Sequence, residues 1–163
     1  MCGLPDSEAA YEDILRSGKK IFAIGTDDNH NGNLQDPCRD SFGSFTMIGA
    51  DSLEYEAVIQ AMEQGCFYAS CGPEFLELYY ENGMVHVECS PCREISMITL
   101  GRQGQFVQGK NGELIERADF PVDPELYGYV RFRLRDSQGR PACSNAYYVD
   151  EFMEGAHARR AVL

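Results

Sequence analysis

A short apolar run that ends in acidic and imidazole side chains is the feature that most constrains this chain. Residues 21–25 carry no charge, which is typical of a strand buried on both faces of a parallel sheet. Asp28 and His30 follow two positions apart, so they are expected on one face at the C-terminal end of that strand. Because α/β sheets and barrels place their sites at this end, the pair is a candidate half of a divalent-metal site.

Composition limits the compartments and partners that this chain suits. It has 26 acidic residues against 14 basic ones and a net charge of -12, so a nucleic-acid partner is not expected. No apolar stretch approaches the ~20 residues that span a bilayer, and the N-terminus lacks the blocks of a signal peptide. Seven cysteines without an export signal favour reduced thiols. We therefore expect a cytoplasmic protein with no membrane partner.

Helices and strands are predicted to alternate over the first part of the chain. Apolar residues at helical spacing predict a helix over residues 8–16, which Gly18 can end in a left-handed conformation. The strand at residues 21–25 comes next. A polar loop over residues 31–44 follows His30 and is long enough to form the wall of a site.

A second strand and a second helix are predicted after this loop. The strand covers residues 45–50, and Asp51 with Glu54 could cap the following helix. Gly65 ends this helix, whose predicted apolar face contains Tyr55, Val58, Ile59 and Met62. A third strand over residues 66–70 leads to Cys71-Gly72-Pro73, where we expect a domain boundary.

Beyond Pro73 the pattern becomes that of antiparallel β structure. Residues 75–80 and 84–90 flank Asn82-Gly83, a strong signal for a hairpin, and Val85, Val87 and Cys89 are expected to point inward. Residues 129–135 alternate, with inward Val130, Phe132 and Leu134 and outward Arg131, Arg133 and Arg135. With further strands predicted over residues 94–100 and 146–149, this spacing indicates a small β-sandwich.

Three segments resemble the C-terminal part of the PHP (polymerase and histidinol phosphatase) family, in particular its stand-alone metal-dependent phosphoesterases. They are Thr26-Asp27-Asp28-Asn29-His30, Ser44-Phe45-Thr46-Met47 and Gly65-Cys66-Phe67-Tyr68-Ala69-Ser70-Cys71-Gly72-Pro73, and they occur in the family's order. Residues 139–145 resemble part of the accessory domain that follows in some members. The resemblance thus covers most of the chain.

The resemblance implies an α+β chain with three parts. Residues 1–72 would be a partial β/α barrel remnant (helix-strand-strand-helix-strand). Residues 73–150 would be a small antiparallel β-sandwich accessory domain, and residues 151–163 a tail. Asp28 and His30 would be ligands of zinc, manganese or iron, which activate water to hydrolyse the phosphate ester of a small molecule.

The family's other metal ligands lie N-terminal to its D-x-H motif and have no counterpart in this sequence. They come from an H-x-H motif and from further histidine and acidic residues. We therefore expect a truncated, C-terminal part of such an enzyme, with weak or absent metal binding and no catalytic residues of its own. Apolar residues at positions 21–24 would lack their usual neighbours, so we also expect a homo-oligomer.

Two other functions remain open at this point. The first is a non-catalytic binding or structural module, in which the β-sandwich does the work. The second is a small metal-binding protein whose site is completed by oligomerisation.

Three weaker patterns have structural explanations that we favour. Cys89-Ser90-Pro91-Cys92 is a lone C-x-x-C motif, without the second pair or following helix that zinc and redox motifs usually have. Ser70-Cys71-Gly72 could present a nucleophile, but no histidine suggests a base, so we interpret it as a turn. The arginines at 131, 133 and 135 could bind a phosphate, although such a stripe is usually a solvated strand face paired with acids.

Overall fold

Antiparallel strands make up most of the structure, a computed structural model that describes residues 7–27, 29, 41–123, 125, 127–149 and 160–161. Helix α1 is Glu8–Arg16, helix α2 is Tyr55–Glu63, and Lys110–Gly112 form a short 3-10 helix. No helix in these described ranges has the length and apolar character needed to cross a membrane. The strands are β1 (Phe45–Ile48), β2 (Phe67–Ser70), β3 (Phe75–Glu81), β4 (Met84–Cys92), β5 (Glu94–Thr99), β6 (Gln105–Gln108), β7 (Ile115–Pro121), β8 (Tyr129–Arg135), β9 (Pro141–Ser144), β10 (Tyr147–Tyr148) and β11 (Arg160–Ala161).

The strands form two antiparallel sheets that share one hydrophobic core. Sheet A has the order β1-β2-β9-β8-β5-β6, with β10 also paired to β8, and sheet B has the order β11-β3-β4-β7. The ring of Phe120 on sheet B lies 5.9 Å, centroid to centroid, from the ring of Phe132 on sheet A. Buried residues of both sheets belong to one cluster, so each sheet covers the apolar face of the other.

The predicted hairpin and the inward faces of two strands are confirmed. Asn82 and Gly83 both have positive φ angles, 51° and 82°, as a tight turn that follows the twist of the strands requires. The side chains expected to point inward from β4 and β8 are buried: Val85, Val87, Cys89, Val130, Phe132 and Leu134.

The strand predicted over residues 21–25 is wrong. The described residues of this segment belong to neither sheet, and Phe22 and Ile24 are 49% and 59% exposed. The N–H of Ala23 donates to the side chain of Asn145, and the N–H of Gly25 donates to the side chain of Thr46. These backbone N–H groups therefore bind side chains instead of the backbone of a neighbouring strand. The apolar composition of the segment does not distinguish between these two kinds of partner.

The predicted barrel remnant over residues 1–72 is not seen in the described part of that range. β1 and β2 pair antiparallel, with Phe45 opposite Ser70 and Ile48 opposite Phe67, whereas neighbouring strands of a β/α barrel are parallel. β2 also pairs antiparallel with β9. Sheet A thus combines strands from both sides of residue 72.

Helix α2 differs from its prediction at its start and on its apolar face. Glu54 is its N-cap residue and makes no side-chain capping bond, so the predicted cap by Asp51 is wrong. Of the nine helical residues only Ala61 is buried, and Tyr55, Ile59 and Met62 are exposed. The face is apolar, as predicted, but sheet A leaves most of it uncovered.

Four strands lack a prediction because they are short or weakly apolar. These strands are β6, β7, β9 and β11. β9 consists of four residues that begin with a proline, yet it joins β2 to β8 at the centre of sheet A. β7 buries only Ala118 and Phe120, alternating with charged residues that face out.

Replacement of Phe132 tests the shared core. Phe132 is 1% exposed, so Phe132→Ala is expected to lower the free energy of unfolding by about 3–5 kcal/mol. Phe106 on β6 is 64% exposed, and Phe106→Ala is expected to cost less than about 1 kcal/mol. Urea unfolding measures both variants, and equal losses would contradict the common core of sheets A and B.

Candidate functional site

The predicted ligands Asp28 and His30 lie outside the described residues, but their neighbours in the chain are held at defined positions. The Asp27 Oδ2 atom accepts a hydrogen bond from the N–H of Phe42 at 2.7 Å. The Asn29 side-chain amide donates to the Ser41 hydroxyl at 2.9 Å. These two bonds bring together the chain before residue 30 and the chain after residue 40, at the base of the polar loop predicted from sequence.

Asn145 connects the segment that leads to Asp28 with sheet A. Its Oδ1 atom accepts the N–H of Ala23 at 3.0 Å, and its Nδ2 atom donates to the carbonyl oxygens of Gly65 and Phe67 at 3.2 and 2.9 Å. Asn145 is buried, so these backbone groups bind the amide in place of water. Two separate parts of the chain, one at Ala23 and one over residues 65–67, thus depend on one side chain.

Gly25 allows the same segment to approach β1 closely. The Thr46 hydroxyl bridges it, donating to the Gly25 carbonyl and accepting the Gly25 N–H, each at 3.0 Å. A Cβ atom at position 25 would clash with the carbonyl oxygen of Phe45. Only glycine therefore fits where residues 21–27 cross the start of β1.

The Ser70-Cys71-Gly72 pattern forms a turn. The buried Ser70 hydroxyl donates to the carbonyl of Pro73 at 2.6 Å and accepts the N–H of Gly72 at 2.8 Å. Gly72 has a φ of 152°, and a Cβ atom there would lie 2.6 Å from Cζ of Arg140. The structure thus supports the turn interpretation of this pattern, and it packs the guanidinium group of Arg140 over Gly72.

Arg140 is itself held by Asp136. Its Nε atom donates to Asp136 Oδ2 at 2.7 Å, and its backbone N–H donates to Oδ1 at 2.8 Å. Burial alone would raise the pKa of Asp136, but the hydrogen bonds from Arg140 outweigh it and hold that pKa below its ordinary value. The turn before β9 therefore carries a fixed ion pair against the end of β2.

The arginine stripe on β8 contains a buried ion pair rather than a solvated strand face. Arg131 is 1% exposed, which corrects the interpretation of this position as solvated. Its Nε atom donates to Glu12, and its Nη2 atom donates to Glu8 Oε1 at 2.7 Å. Both carboxylates belong to α1, so the stripe fixes the first helix on the outer face of sheet A.

The charges of this cluster stabilise one another. Burial alone would raise the pKa of Glu8, but the hydrogen bonds and positive charges of Arg131 and Arg133 bring it below its ordinary value. Burial alone would lower the pKa of Arg131, but Glu8 and Glu12 raise it. Burial, together with the hydrogen bond from the Tyr129 hydroxyl to Glu12, raises the pKa of Tyr129. At neutral pH Glu8 and Arg131 are therefore both charged.

An open cavity of about 490 Å³ lies beside α1, and Glu8, Glu12, Arg131 and Arg133 contribute to its walls. The guanidinium groups of Arg131 and Arg133 already contact the carboxylates of α1. A phosphate would have to compete with these carboxylates. We therefore assign the cluster to positioning α1.

His86 pairs with an acid on the outer face of sheet B. Its Nδ1 atom lies 2.7 Å from Asp119 Oδ1, and its ring stacks on Tyr79 with centroids 4.7 Å apart. Over the described ranges, no group of three or more His, Cys, Asp or Glu side chains could hold a metal ion. The described residues thus add no ligand set to the predicted pair at positions 28 and 30.

Comparisons of the chain with protein-family models, curated proteins and solved structures give no match. Its function is therefore inferred from its own residues and geometry.

Replacement of Asn145 tests the connection between residues 23–27, which lead to the predicted ligands, and sheet A. Asn145→Ala removes the amide that binds the N–H of Ala23 and the carbonyl of Phe67, whereas the Gly65 carbonyl still accepts the N–H of Phe67, so a loss of about 2–4 kcal/mol in unfolding free energy is expected. Gln60→Ala, at an exposed position of α2, is the control and is expected to stay within about 0.5 kcal/mol. Similar urea unfolding curves for both variants would contradict the role of Asn145.

The pH dependence of stability tests the ion pair of α1. Because the pKa of Glu8 is lowered from 4.5 on folding, its contribution is present above pH 4.5 and is lost as pH falls through the folded-state pKa. Glu8→Gln is therefore expected to be less stable than wild type by about 1–3 kcal/mol at neutral pH. The difference should shrink in acid.

The matched control on the same helix is Asp13→Asn, which alters an exposed acid. Its difference from wild type is expected to stay below about 0.5 kcal/mol. Glu94 and Asp136 also have lowered pKa values, but both are present in all three proteins and cancel in the comparison. Urea unfolding across the acidic range gives the result, and a Glu8→Gln difference that grows in acid would contradict the ion pair.

Proposed function

We propose that this chain is the C-terminal part of a PHP-type metal-dependent phosphoesterase. In this proposal sheets A and B form a β-sandwich accessory domain to which residues 45–48 and 67–70 contribute β1 and β2, and the segment before β1 belongs to the metal-binding part of the enzyme. Asp28 and His30 supply two of the ligands for zinc, manganese or iron, and the other ligands come from a preceding part of the enzyme. The substrate class is a phosphorylated small molecule.

One observation carries this proposal: three of the segments that resemble the family (residues 44–47, 65–73 and 139–145) contact one another, and two of them bind residues 23–25, directly before the fourth. Residues 23–25 bind Asn145 and Thr46, and Asn145 also binds Gly65 and Phe67. β1, β2 and β9, which contain or border these motifs, are consecutive strands of sheet A. Segments that are far apart in sequence thus converge on the chain that leads directly to Asp28 and His30.

Exposed apolar side chains in the first half of the chain support the proposal that a preceding segment of the enzyme packs against it. Phe22 and Ile24 are exposed, as are Tyr55, Ile59 and Met62 of α2. Strands and helices of a β/α barrel have their apolar faces covered by the rest of the barrel. In this proposal a preceding barrel segment covers these side chains, and in its absence they favour a homo-oligomer.

The residues that the structure describes do not provide a complete metal centre. A metal in this family supplies a Lewis acid and an activated water, which require a site with three or more protein ligands. The two predicted ligands and the described residues do not make up such a set. We therefore assign no step of hydrolysis to this chain by itself.

A non-catalytic module is the second candidate, and one observation favours it. Helix α1 is attached to sheet A through the Arg131 cluster. Strands β1 and β2 belong to sheet A itself, because β2 pairs with β9 and β1 pairs with β2. In that case the whole chain acts as one binding or structural unit.

A metal site completed by oligomerisation is the third candidate, and it requires metal binding that strengthens with protein concentration.

Metal titration tests the assignment of Asp28 and His30. Isothermal titration with zinc or manganese is expected to show weak binding that falls by about tenfold or more in His30→Ala, since a metal ligand is lost. His86→Ala is the matched control, because the His86 ring contacts Asp119 and Tyr79 elsewhere, and it is expected to leave the titration unchanged.

Three results would contradict the proposal. The first is tight stoichiometric binding that survives His30→Ala, and the second is metal-dependent hydrolysis of a phosphomonoester by the pure chain. The third comes from the gene: we expect an in-frame H-x-H motif in the DNA just upstream of the first codon, and its absence would contradict the proposal. Weak binding that becomes tight as protein concentration rises would favour the oligomeric site.

A further inference from the structure

Cys89 and Cys92 lie where the chain passes from one sheet to the other. β4 belongs to sheet B and ends at Cys92, and β5 belongs to sheet A and begins at Glu94. Between them, the N–H of Arg93 donates to the carbonyl of Arg135 at 2.7 Å. The C-x-x-C motif therefore occupies a corner of the fold rather than the middle of a regular strand.

A β-bulge turns both cysteines inward. Glu88 is opposite Arg117 and Cys92 is opposite Ile115, so β4 advances four residues while β7 advances two. In a regular strand, residues three apart face opposite sides, but the bulge interrupts this alternation. Cys89 and Cys92 are both buried in the shared core, and Pro91 between them is exposed.

Cys89 and Cys92 are reduced thiols that belong to the same buried cluster. The interaction with Cys89 lowers the pKa of Cys92, against the effect of burial. The interaction with Cys92, together with burial, raises the pKa of Cys89. One thiol of the pair is thus favoured as a thiolate, the nucleophilic form, while its neighbour keeps its proton.

We propose that Cys89 and Cys92 are a redox-active pair that hydrogen peroxide converts into a disulfide. The Cys92 thiolate attacks one peroxide oxygen, the O–O bond breaks, and the departing hydroxide takes a proton to become water. The resulting sulfenic acid is attacked by the sulfur of Cys89, the S–O bond breaks, and a second water leaves with the Cys89 proton. Two thiols and one peroxide give one disulfide and two waters.

The position of the pair determines what the disulfide does. Peroxide is small, and Pro91 and the partly exposed Ser90 provide the solvent-facing side of the bulge. The new bond would close the bulge covalently at the point where sheet B continues into sheet A. Oxidation is therefore a modification of the corner that joins the two sheets.

Peptide mapping of the native full-length chain tests this proposal. The protein is treated with hydrogen peroxide, quenched in acid, unfolded, alkylated and analysed by mass spectrometry. The expected product has lost two hydrogens, with the bond located between Cys89 and Cys92, and dithiothreitol restores both alkylated thiols. This measurement uses wild-type protein, so it does not depend on the stability of a core variant.

Two variants separate the roles of the cysteines. Cys89→Ser removes the second thiol, so dimedone is expected to trap a sulfenic acid on Cys92, whereas wild type gives no adduct. Cys143→Ser on β9 is the matched control and is expected to form the same disulfide as wild type. The proposal is overturned by a disulfide that involves another cysteine, by sulfinic acid on Cys92 without a disulfide, or by oxidation that occurs only in urea.

Discussion

The amide of Asn145 is the contact on which the arrangement of the first half of the chain depends. Three backbone groups, from Ala23, Gly65 and Phe67, use its donors and acceptor inside the protein. A buried backbone group without a partner costs about as much as a lost hydrogen bond, so the amide determines where these groups can lie. The segment before Asp28 and the start of β2 are therefore both positioned from a residue in the last part of the chain.

The cluster around Arg131 gives α1 an orientation that apolar packing alone would not specify. Tyr11 and Leu15 pack against Tyr129 and Ala146, but such contacts tolerate sliding. The ion pairs of Arg131 with Glu8 and Glu12 do not tolerate sliding, because a shift of the helix would leave a buried charge without its partner. A buried ion pair is weak evidence for net stability, and its contribution here is to the register of the helix on the sheet.

Local signals in the sequence were enough for part of the fold. The turn at Asn82-Gly83 depends on adjacent residues, and the alternation along β8 depends on the two-residue period of a strand. Both are therefore predicted correctly from the sequence. The burial of Arg131 depends on an acid 119 positions away, and the path of residues 21–25 depends on Asn145 and Thr46. No periodicity encodes these contacts. For the candidate site, the sequence placed Asn145 at the end of a segment that resembles the family, but it did not show that this side chain binds Ala23, Gly65 and Phe67.

The long separation between Ala23 and Asn145 has a consequence for synthesis. Ala23 precedes its hydrogen-bond partner by 122 positions, and β1 and β2 reach the rest of sheet A only through β9. A chain made from its N-terminus exposes residues 21–27 long before Asn145 leaves the ribosome. The segment that leads to the predicted ligands Asp28 and His30 is thus made well before Asn145 and is fixed only after Asn145 is in place. A larger enzyme that contains it would complete its active centre only after both C-terminal sheets have closed.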